Sequence, residues 1–142
     1  MSAVKLVAVF AENKPGQTAR FTKILAEANI NIRWVTVASI GAFGVMKFLV
    51  NDSQVAYEAM KHEGYVTTLL DVLAVEVPDQ PGALHAVADC LARNKVNLDN
   101  ASGFVASKRA ILILEVQNVM AARAALAQQG LRVLSQEELL GL

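Results

Sequence analysis

An internal repeat limits the folds open to this chain more than any other feature of its sequence. When the sequence is shifted by 66 residues against itself, residues 7 to 64 align without a gap and eleven positions are identical. Four of the identical pairs are proline, glycine or asparagine, which are common in turns: Pro15/Pro81, Gly16/Gly82, Gly64/Gly130 and Asn31/Asn97. We therefore predict two copies of one structural unit, occupying residues 1–68 and 69–142.

Each copy is predicted to contain, in order, a strand, a helix, two strands, a helix and a strand. Short runs rich in Val and Leu are typical of strands, and the spacing of Phe21, Leu25 and Ala28 is helical. Pro15 and Pro81 suit the first turn of a helix. The predicted helix N-caps are Asn13, Asp52, Asp79 and Asn118, and the predicted stop residues are Gly64 and Gly130. This order predicts an α+β fold, with an antiparallel sheet and helices packed on one face.

The charge balance and hydropathy of the chain argue against several classes of partner. Thirteen basic residues balance thirteen acidic ones, which leaves no excess charge to attract nucleic acid or a membrane surface. The longest apolar stretch, residues 35–50, contains a lysine and is too short to cross a bilayer. A single cysteine, Cys90, excludes an internal disulfide and fits a reducing compartment. We expect a cytoplasmic protein with no nucleic-acid or membrane partner.

Two loops, residues 13–16 and 79–82, each lie between a predicted strand and a predicted helix. The first amides of a helix have no partner within it and attract negative charge, and a glycine lets a molecule approach the backbone closely. These loops therefore suit a small anionic or zwitterionic ligand. A polar residue followed by Pro and Gly is also an ordinary way to begin a helix, so a purely structural role stays open at this point.

Three motifs, each present in both copies, together resemble the ACT domain. They are the D/N-x-P-G loop after the first strand, the Leu-Ala pair late in the first helix, and the Asn-Ile or Asn-Leu step that opens the second strand. The resemblance implies two ferredoxin-like βαββαβ units, similar to the regulatory parts of amino-acid biosynthetic enzymes. It also implies that neighbouring units pair side by side and bind amino acids at their junction.

The resemblance implicates the Pro-Gly loop of one unit together with the second-strand asparagine of its neighbour. Some members have a histidine two residues before the loop Asn or Asp, whereas this chain has Ala11 and Val77 there, so the ligand is not identified. Because the second loop is more negative, we expect the first to favour a carboxylate and the second an ammonium group. The candidate ligand-binding residues are Asn13, Lys14, Pro15, Gly16, Gln17 and Asn97 for one site, and Asp79, Gln80, Pro81, Gly82, Ala83 and Asn31 for the other.

The leading functional prediction is a regulatory module, without enzymatic activity, cofactor or metal, that binds an amino acid. Ligand binding would change how the chain pairs with itself, as a homodimer, or with a separate regulated protein. One alternative is a structural oligomerisation module without a ligand. Another is a small ferredoxin-like hydrolase using Arg20, although no acid or base companion is evident. Cys90 is predicted to lie in the core, and His62 and His85 have no second metal ligand at useful spacing.

Overall fold

A computed structural model of the chain describes residues 3–142. Within it, Lys5–Leu70 forms one compact unit and Asp71–Leu142 belongs to a second. The two units meet between Leu70 and Asp71, inside the strand Val66–Pro78, so this division does not define where one domain ends. The domain boundaries at 1–68 and 69–142 therefore stay a prediction.

The first unit contains two helices packed on one face of an antiparallel sheet, whose strands lie in the order β2 (Ile32–Ile40), β3 (Phe43–Val50), β1 (Val4–Glu12). In this sheet Val9 lies opposite Met46, so both side chains point to the same face, where they meet Phe21 and Leu25 of the first helix. Burying each large apolar side chain contributes about 1.5–3 kcal/mol. The elements of this unit are β1 (Val4–Glu12), α1 (Gln17–Glu27), β2 (Ile32–Ile40), β3 (Phe43–Val50), α2 (Ser53–His62) and the first residues, 66–70, of β4 (Val66–Pro78).

The second unit repeats this arrangement, with its strands in the order β7 (Arg132–Leu134), β4, β6 (Arg109–Val116), β5 (Leu98–Ala106). Its core includes Leu91, Leu114 and Leu126, and also Cys90, which is fully buried and whose Sγ donates to the carbonyl oxygen of Ala125 at 3.4 Å. The core position predicted for Cys90 is confirmed. The elements that follow β4 are α3 (Ala83–Arg93), β5 (Leu98–Ala106), β6 (Arg109–Val116), α4 (Val119–Gln128), β7 (Arg132–Leu134) and α5 (Gln136–Leu140).

The predicted fold class is confirmed: antiparallel sheets carry helices on one face, and the βαββαβ order occurs twice. The second helix of each unit starts and stops where the sequence predicts. Asp52 and Asn118 accept hydrogen bonds from the amides of the third helical residues, and Gly64 and Gly130 follow the helix ends with positive φ. These local signals are the same in both copies because the same chain reversal is required in each.

Helix α5 has no counterpart in the first unit and was not predicted from the sequence. It begins with a capping box, in which the Ser135 hydroxyl accepts from the Glu138 amide and the Glu138 carboxylate accepts from the Ser135 amide. Arg132 binds Glu138 and also Glu76, whose other oxygen binds Arg109. An ionic network therefore joins β4, β6, β7 and α5.

Candidate ligand-binding site

The segments that precede α1 and α3 are tight turns. In residues 14–17 the Gln17 amide donates to the Lys14 carbonyl oxygen at 3.3 Å, and Gly16 has φ 91° and ψ −11°. These are the features of a type II turn, which favours Pro at its second position and needs positive φ at its third. Residues 80–83 repeat the turn, with Gly82 at φ 88° and ψ −9°.

This geometry corrects the predicted helix starts. The N-caps of α1 and α3 are Gly16 and Gly82, not Asn13 and Asp79, and Pro15 and Pro81 lie in the turns before the helices instead of in their first turns. The reason is that the Pro-Gly pair must form the type II turn first, so each helix begins only after its glycine. The Asn13 amide instead donates to the carbonyl oxygen of Ala42 in the β2–β3 connection.

The start of α1 is left without a side-chain cap. Glycine at the N-cap has no oxygen to offer to the first helical amides, and no side chain caps this end. The Gln17 side chain reaches back, with its Nε2 donating to the Glu12 carbonyl oxygen at 3.2 Å. The Gln17 amide is already used in the turn and the Arg20 amide donates to the Gly16 carbonyl oxygen, so the amides of Thr18 and Ala19 are the ones available to an anion from outside the chain.

An open cavity of about 790 Å³ lies at this helix start, within the first unit. Its volume falls in the usual range for sites that hold a small molecule. The charged residues that line it are three basic ones, Lys14, Arg20 and Lys23, and one acidic one, Glu12. The lining residues are Phe10, Ala11, Glu12, Lys14, Pro15, Gly16, Gln17, Ala19, Arg20, Lys23, Gly64, Tyr65 and Val66.

Arg20 is held at the cavity by an aromatic ring. Its guanidinium carbon lies 5.6 Å from the centroid of Tyr65, within the range of a cation–π contact. The Tyr65 ring is in turn fixed edge-on against Phe21, with the ring centroids 4.7 Å apart. This contact places the guanidinium of Arg20 beside the cavity and leaves its N–H groups to bind a ligand.

The whole chain, residues 1–142, matches the family model described as an ACT domain pair. The chain belongs to the ACT domain pair family. ACT domain pairs are typical of regulatory modules that bind small molecules such as amino acids. The family match confirms the resemblance inferred from the sequence. A comparison with curated proteins finds no match.

Solved structures share the fold of this ACT pair. A protein from Bacteroides thetaiotaomicron is 27% identical with a TM-score of 0.92, over 99% of this chain and 97% of that one. The ligand-free regulatory subunit of aspartate kinase from Thermus thermophilus is 20% identical with a TM-score of 0.65, over 90% and 93%. The corresponding subunit from Thermus flavus is 17% identical with a TM-score of 0.62, over the same shares. These two similarities concern the fold.

The second loop of the ACT pair has the same backbone as the first but different side chains around it. Gln80, Pro81, Gly82 and Ala83 form the type II turn and the beginning of α3, Asp79 precedes the turn, and all of these residues except Ala83 are exposed. At the positions equivalent to Lys14, Arg20 and Lys23, the second copy has Gln80, Ala86 and Asp89. The basic cluster is therefore confined to the first copy.

The candidate asparagines lie away from the loop of their own unit. In the second unit the turn follows the end of β4, and Pro78 lies opposite Arg109, whereas Asn97 precedes the far end of β5. A nine-residue strand spans about 30 Å, so the two regions are at opposite ends of the unit. The same holds for Asn31 and the first loop. The cross-unit pairing implied by the resemblance stays a prediction.

Asn13, Asn31 and Asn97 have other surroundings in the structure. Asn13 lines a cavity of about 30 Å³ on the other side of the first loop, which holds little more than one water molecule. The Asn31 amide donates to the Asn51 side chain at 3.0 Å. Asn97 lines a separate cavity of about 300 Å³ with Asn94 and Asn118.

The described residues, 3–142, contain no group of three or more His, Cys, Asp or Glu side chains placed to hold a metal ion. None of their helices is long and apolar enough to cross a membrane.

Proposed function

We propose that this ACT domain pair is a regulatory module that binds a free amino acid where α1 begins in the first unit. The observation that carries the proposal is the cavity of about 790 Å³ at the uncapped helix start. An amino acid presents a carboxylate and an ammonium group, and both find partners of opposite charge in this lining. Family membership supports a regulatory role.

In the proposed complex the ligand carboxylate accepts hydrogen bonds from the amides of Thr18 and Ala19, in the first turn of α1. Gly16 has no side chain to block this approach, and a Cβ built there meets no heavy atom within 4 Å, so the space in front of the turn is open. Lys14 adds a positive charge beside the turn, while Pro15 fixes its shape and Gln17 ties it to the end of β1. Asn13 holds the turn to the β2–β3 connection through its backbone amide.

We propose that ligand binding changes how strongly the chain associates with a partner protein. The partner is either a second copy of the chain or a separate regulated protein. A ligand that binds only one state shifts the population toward that state by its difference in affinity. The second turn, with Asp79 and Gln80, is proposed to be a weaker site. Its free helix amides are the same, but it lacks the basic side chains.

The direct test is a thermal-shift screen of the purified chain against the twenty amino acids, followed by calorimetric titration of each hit. We expect at least one amino acid to raise the melting temperature, because binding to the native state stabilises it by mass action. Lys14→Gln, which installs the residue of the second copy, is expected to weaken binding. Lys61→Gln is the matched control, because Lys61 lies outside the cavity, over the Tyr57 ring.

If none of the twenty amino acids shifts the melting temperature or releases heat, the proposed function is wrong. It is also wrong if Lys14→Gln and Lys61→Gln bind a hit as tightly as the wild-type chain does. Circular dichroism of both variants would establish that they are folded, so that lost binding reports the site and not the fold.

A second candidate function, self-association without a ligand, is favoured by an apolar patch at the β2–β3 hairpin. Ile40 is 90% exposed and Phe43 is 71% exposed, and together with Phe10 they line a cavity of about 220 Å³. The equivalent positions in the second copy are Ala106, Arg109 and Glu76, and the last two form an ion pair. Exposed apolar patches often mark interaction sites.

Sedimentation velocity distinguishes this candidate from the ligand-binding function. If the patch joins two copies, Phe43→Arg should give a smaller sedimenting species at the same protein concentration. Met120→Arg is the control, because Met120 is 81% exposed but lies in the second unit. An identical mass for the wild-type chain and both variants would contradict self-association through this patch.

A further inference from the structure

We infer that the ligand of the first-unit cavity is an amino acid with an acidic side chain. This inference rests on the proposed function and adds the chemical class of the ligand. Its basis is the charge of the cavity lining, the spacing of the basic residues along α1, and the absence of these residues from the second copy at equivalent positions.

The charges that line the cavity do not match an amino acid with a neutral side chain. Such a ligand has one negative and one positive group, whereas the lining has three basic side chains, Lys14, Arg20 and Lys23, and one acidic side chain, Glu12. A ligand carboxylate at the helix start and an ammonium group beside Glu12 would leave Arg20 without an anion, and Lys23 with only its exposed neighbour Glu27. A second carboxylate on the ligand would supply it.

Neither Arg20 nor Lys23 is neutralised strongly within the chain. In the described residues, 3–142, Arg20 contacts the Tyr65 ring and forms no ion pair with a carboxylate. Lys23 lies 4.0 Å from Glu27, but both side chains are more than two-thirds exposed, and such surface pairs contribute little. Both cations are therefore free to bind an anionic group in the cavity.

The spacing along α1 separates two anion-binding positions. Arg20 follows Gly16 by four residues, which corresponds to a rise of about 6 Å along the helix axis. Lys23 is three residues further on and lies on the same side of the helix as Arg20. One ligand carboxylate at the first amides and another at Arg20 would span about one helical turn, with the guanidinium binding through two parallel hydrogen bonds.

The repeat provides an internal comparison. Gly16 and Gly82 have nearly the same backbone conformation, so the two turns offer equivalent helix amides. The side chains around them differ in charge. Where the first copy has Glu12, Lys14, Arg20, Lys23 and Tyr65, the second has Pro78, Gln80, Ala86, Asp89 and Leu131. We therefore expect one site for an acidic amino acid in each chain.

The experiment compares isosteres by calorimetric titration of the full chain. Aspartate is compared with asparagine, and glutamate with glutamine, because each pair differs in charge but hardly in shape. We expect the better acidic ligand to bind at least about tenfold more tightly than its amide, with about one ligand per chain, since hydrogen bonds to charged groups contribute about 1.5–3 kcal/mol.

Arg20→Ala tests the residue that carries the inference. It should reduce the affinity for the acidic ligand at least about tenfold. The affinity for the amide should hardly change, because the amide makes no ion pair with Arg20. The second copy already has alanine, Ala86, at the equivalent position. A second variant, Arg20→Lys, keeps the positive charge but lacks the planar guanidinium, so its affinity for the acidic ligand should be intermediate. Arg93→Ala is the matched control, since Arg93 is an exposed helical arginine paired with Asp89 in the second unit.

The possible failures are distinguishable. If a neutral amino acid binds as tightly as, or more tightly than, the acidic ones, the inference is wrong while the proposed function stands. Equal losses in Arg20→Ala for the acidic ligand and its amide would also overturn the inference, because they would indicate a packing effect and not charge recognition. If no amino acid binds at all, both the inference and the proposed function are wrong.

Discussion

The two type II turns allow a matched test of the backbone conformation on which the site depends. We consider Gly16→Ala and Gly82→Ala, which place the same methyl group in the same conformation, since φ is 91° at one glycine and 88° at the other. An ideal Cβ at either position meets no heavy atom within 4 Å. Steric collision therefore contributes nothing, and only the backbone conformation changes the stability.

The expected loss of stability follows from two opposing effects. Placing a residue other than glycine in the left-handed region costs roughly 1–2 kcal/mol. Replacing glycine also reduces the conformational freedom of the unfolded chain, which favours folding by about 0.4–1 kcal/mol. We therefore expect each variant to lower the free energy of unfolding by about 1 kcal/mol. The two losses should agree closely because the two backbones do.

Urea denaturation followed by circular dichroism measures this loss. Gly16→Asn is a useful companion, because asparagine tolerates positive φ better than alanine does and should retain more stability. A loss above about 3 kcal/mol would mean that the added methyl group meets other atoms. A gain in stability would mean that φ is negative at that residue. Either result, or a large difference between Gly16→Ala and Gly82→Ala, would refute the assigned geometry.

Two further predictions concern the ends of other helices. Asp52→Ala and Asn118→Ala each remove an N-cap hydrogen bond, and each should lower the free energy of unfolding by about 1 kcal/mol in urea titrations; no loss in either would contradict the observed caps. The pKa of Glu138 is lowered in the folded chain, mainly by the hydrogen bond from the Ser135 amide and secondly by that from the Arg132 side chain. The resulting stabilisation is present at neutral pH and is lost as the pH falls below about 4, so the stability difference between the wild-type chain and Glu138→Gln should shrink there; a difference independent of pH would contradict this.

The repeated fold was predictable because its signals are local and occur twice. Gly64 stops α2, Asp52 caps it, and a short Val-rich run ending at a turn marks the buried strand β1; each signal acts within a few residues. A second copy with the same signals at the same spacing removes most alternatives. Local rules of this kind determine where helices and strands begin and end.

The predicted helix starts were wrong where two local rules compete. Asn13 and Asp79 are good N-cap residue types, but each is followed after one residue by Pro-Gly, which has a strong preference for a type II turn. The turn determines the backbone, and the glycine becomes the N-cap. Helix α5 was missed because it is only five residues long, although the Ser135-x-x-Glu138 pattern of a capping box was visible in the sequence.

The cavity itself was only partly predictable. Lys14, Pro15, Gly16 and Gln17 were identified because they are consecutive, but Tyr65 comes from the end of the unit and joins Arg20 only through the fold. Sequence considered alone offered Arg20 only as a weak candidate for catalysis. A signal was nevertheless present, because Arg20 lies one helical turn after the glycine that opens α1.

The most direct measurement of the central claim is the amide NMR spectrum of the ¹⁵N-labelled chain during titration with the amino acid that binds most tightly. If a carboxylate binds the uncapped start of α1, the amide resonances of Thr18 and Ala19 should move more than any others, together with that of Tyr65. The amides of Leu84 and His85, which hold the equivalent positions in α3, should move much less. Equal movement at both helix starts, or the largest changes outside the cavity lining, would contradict the account.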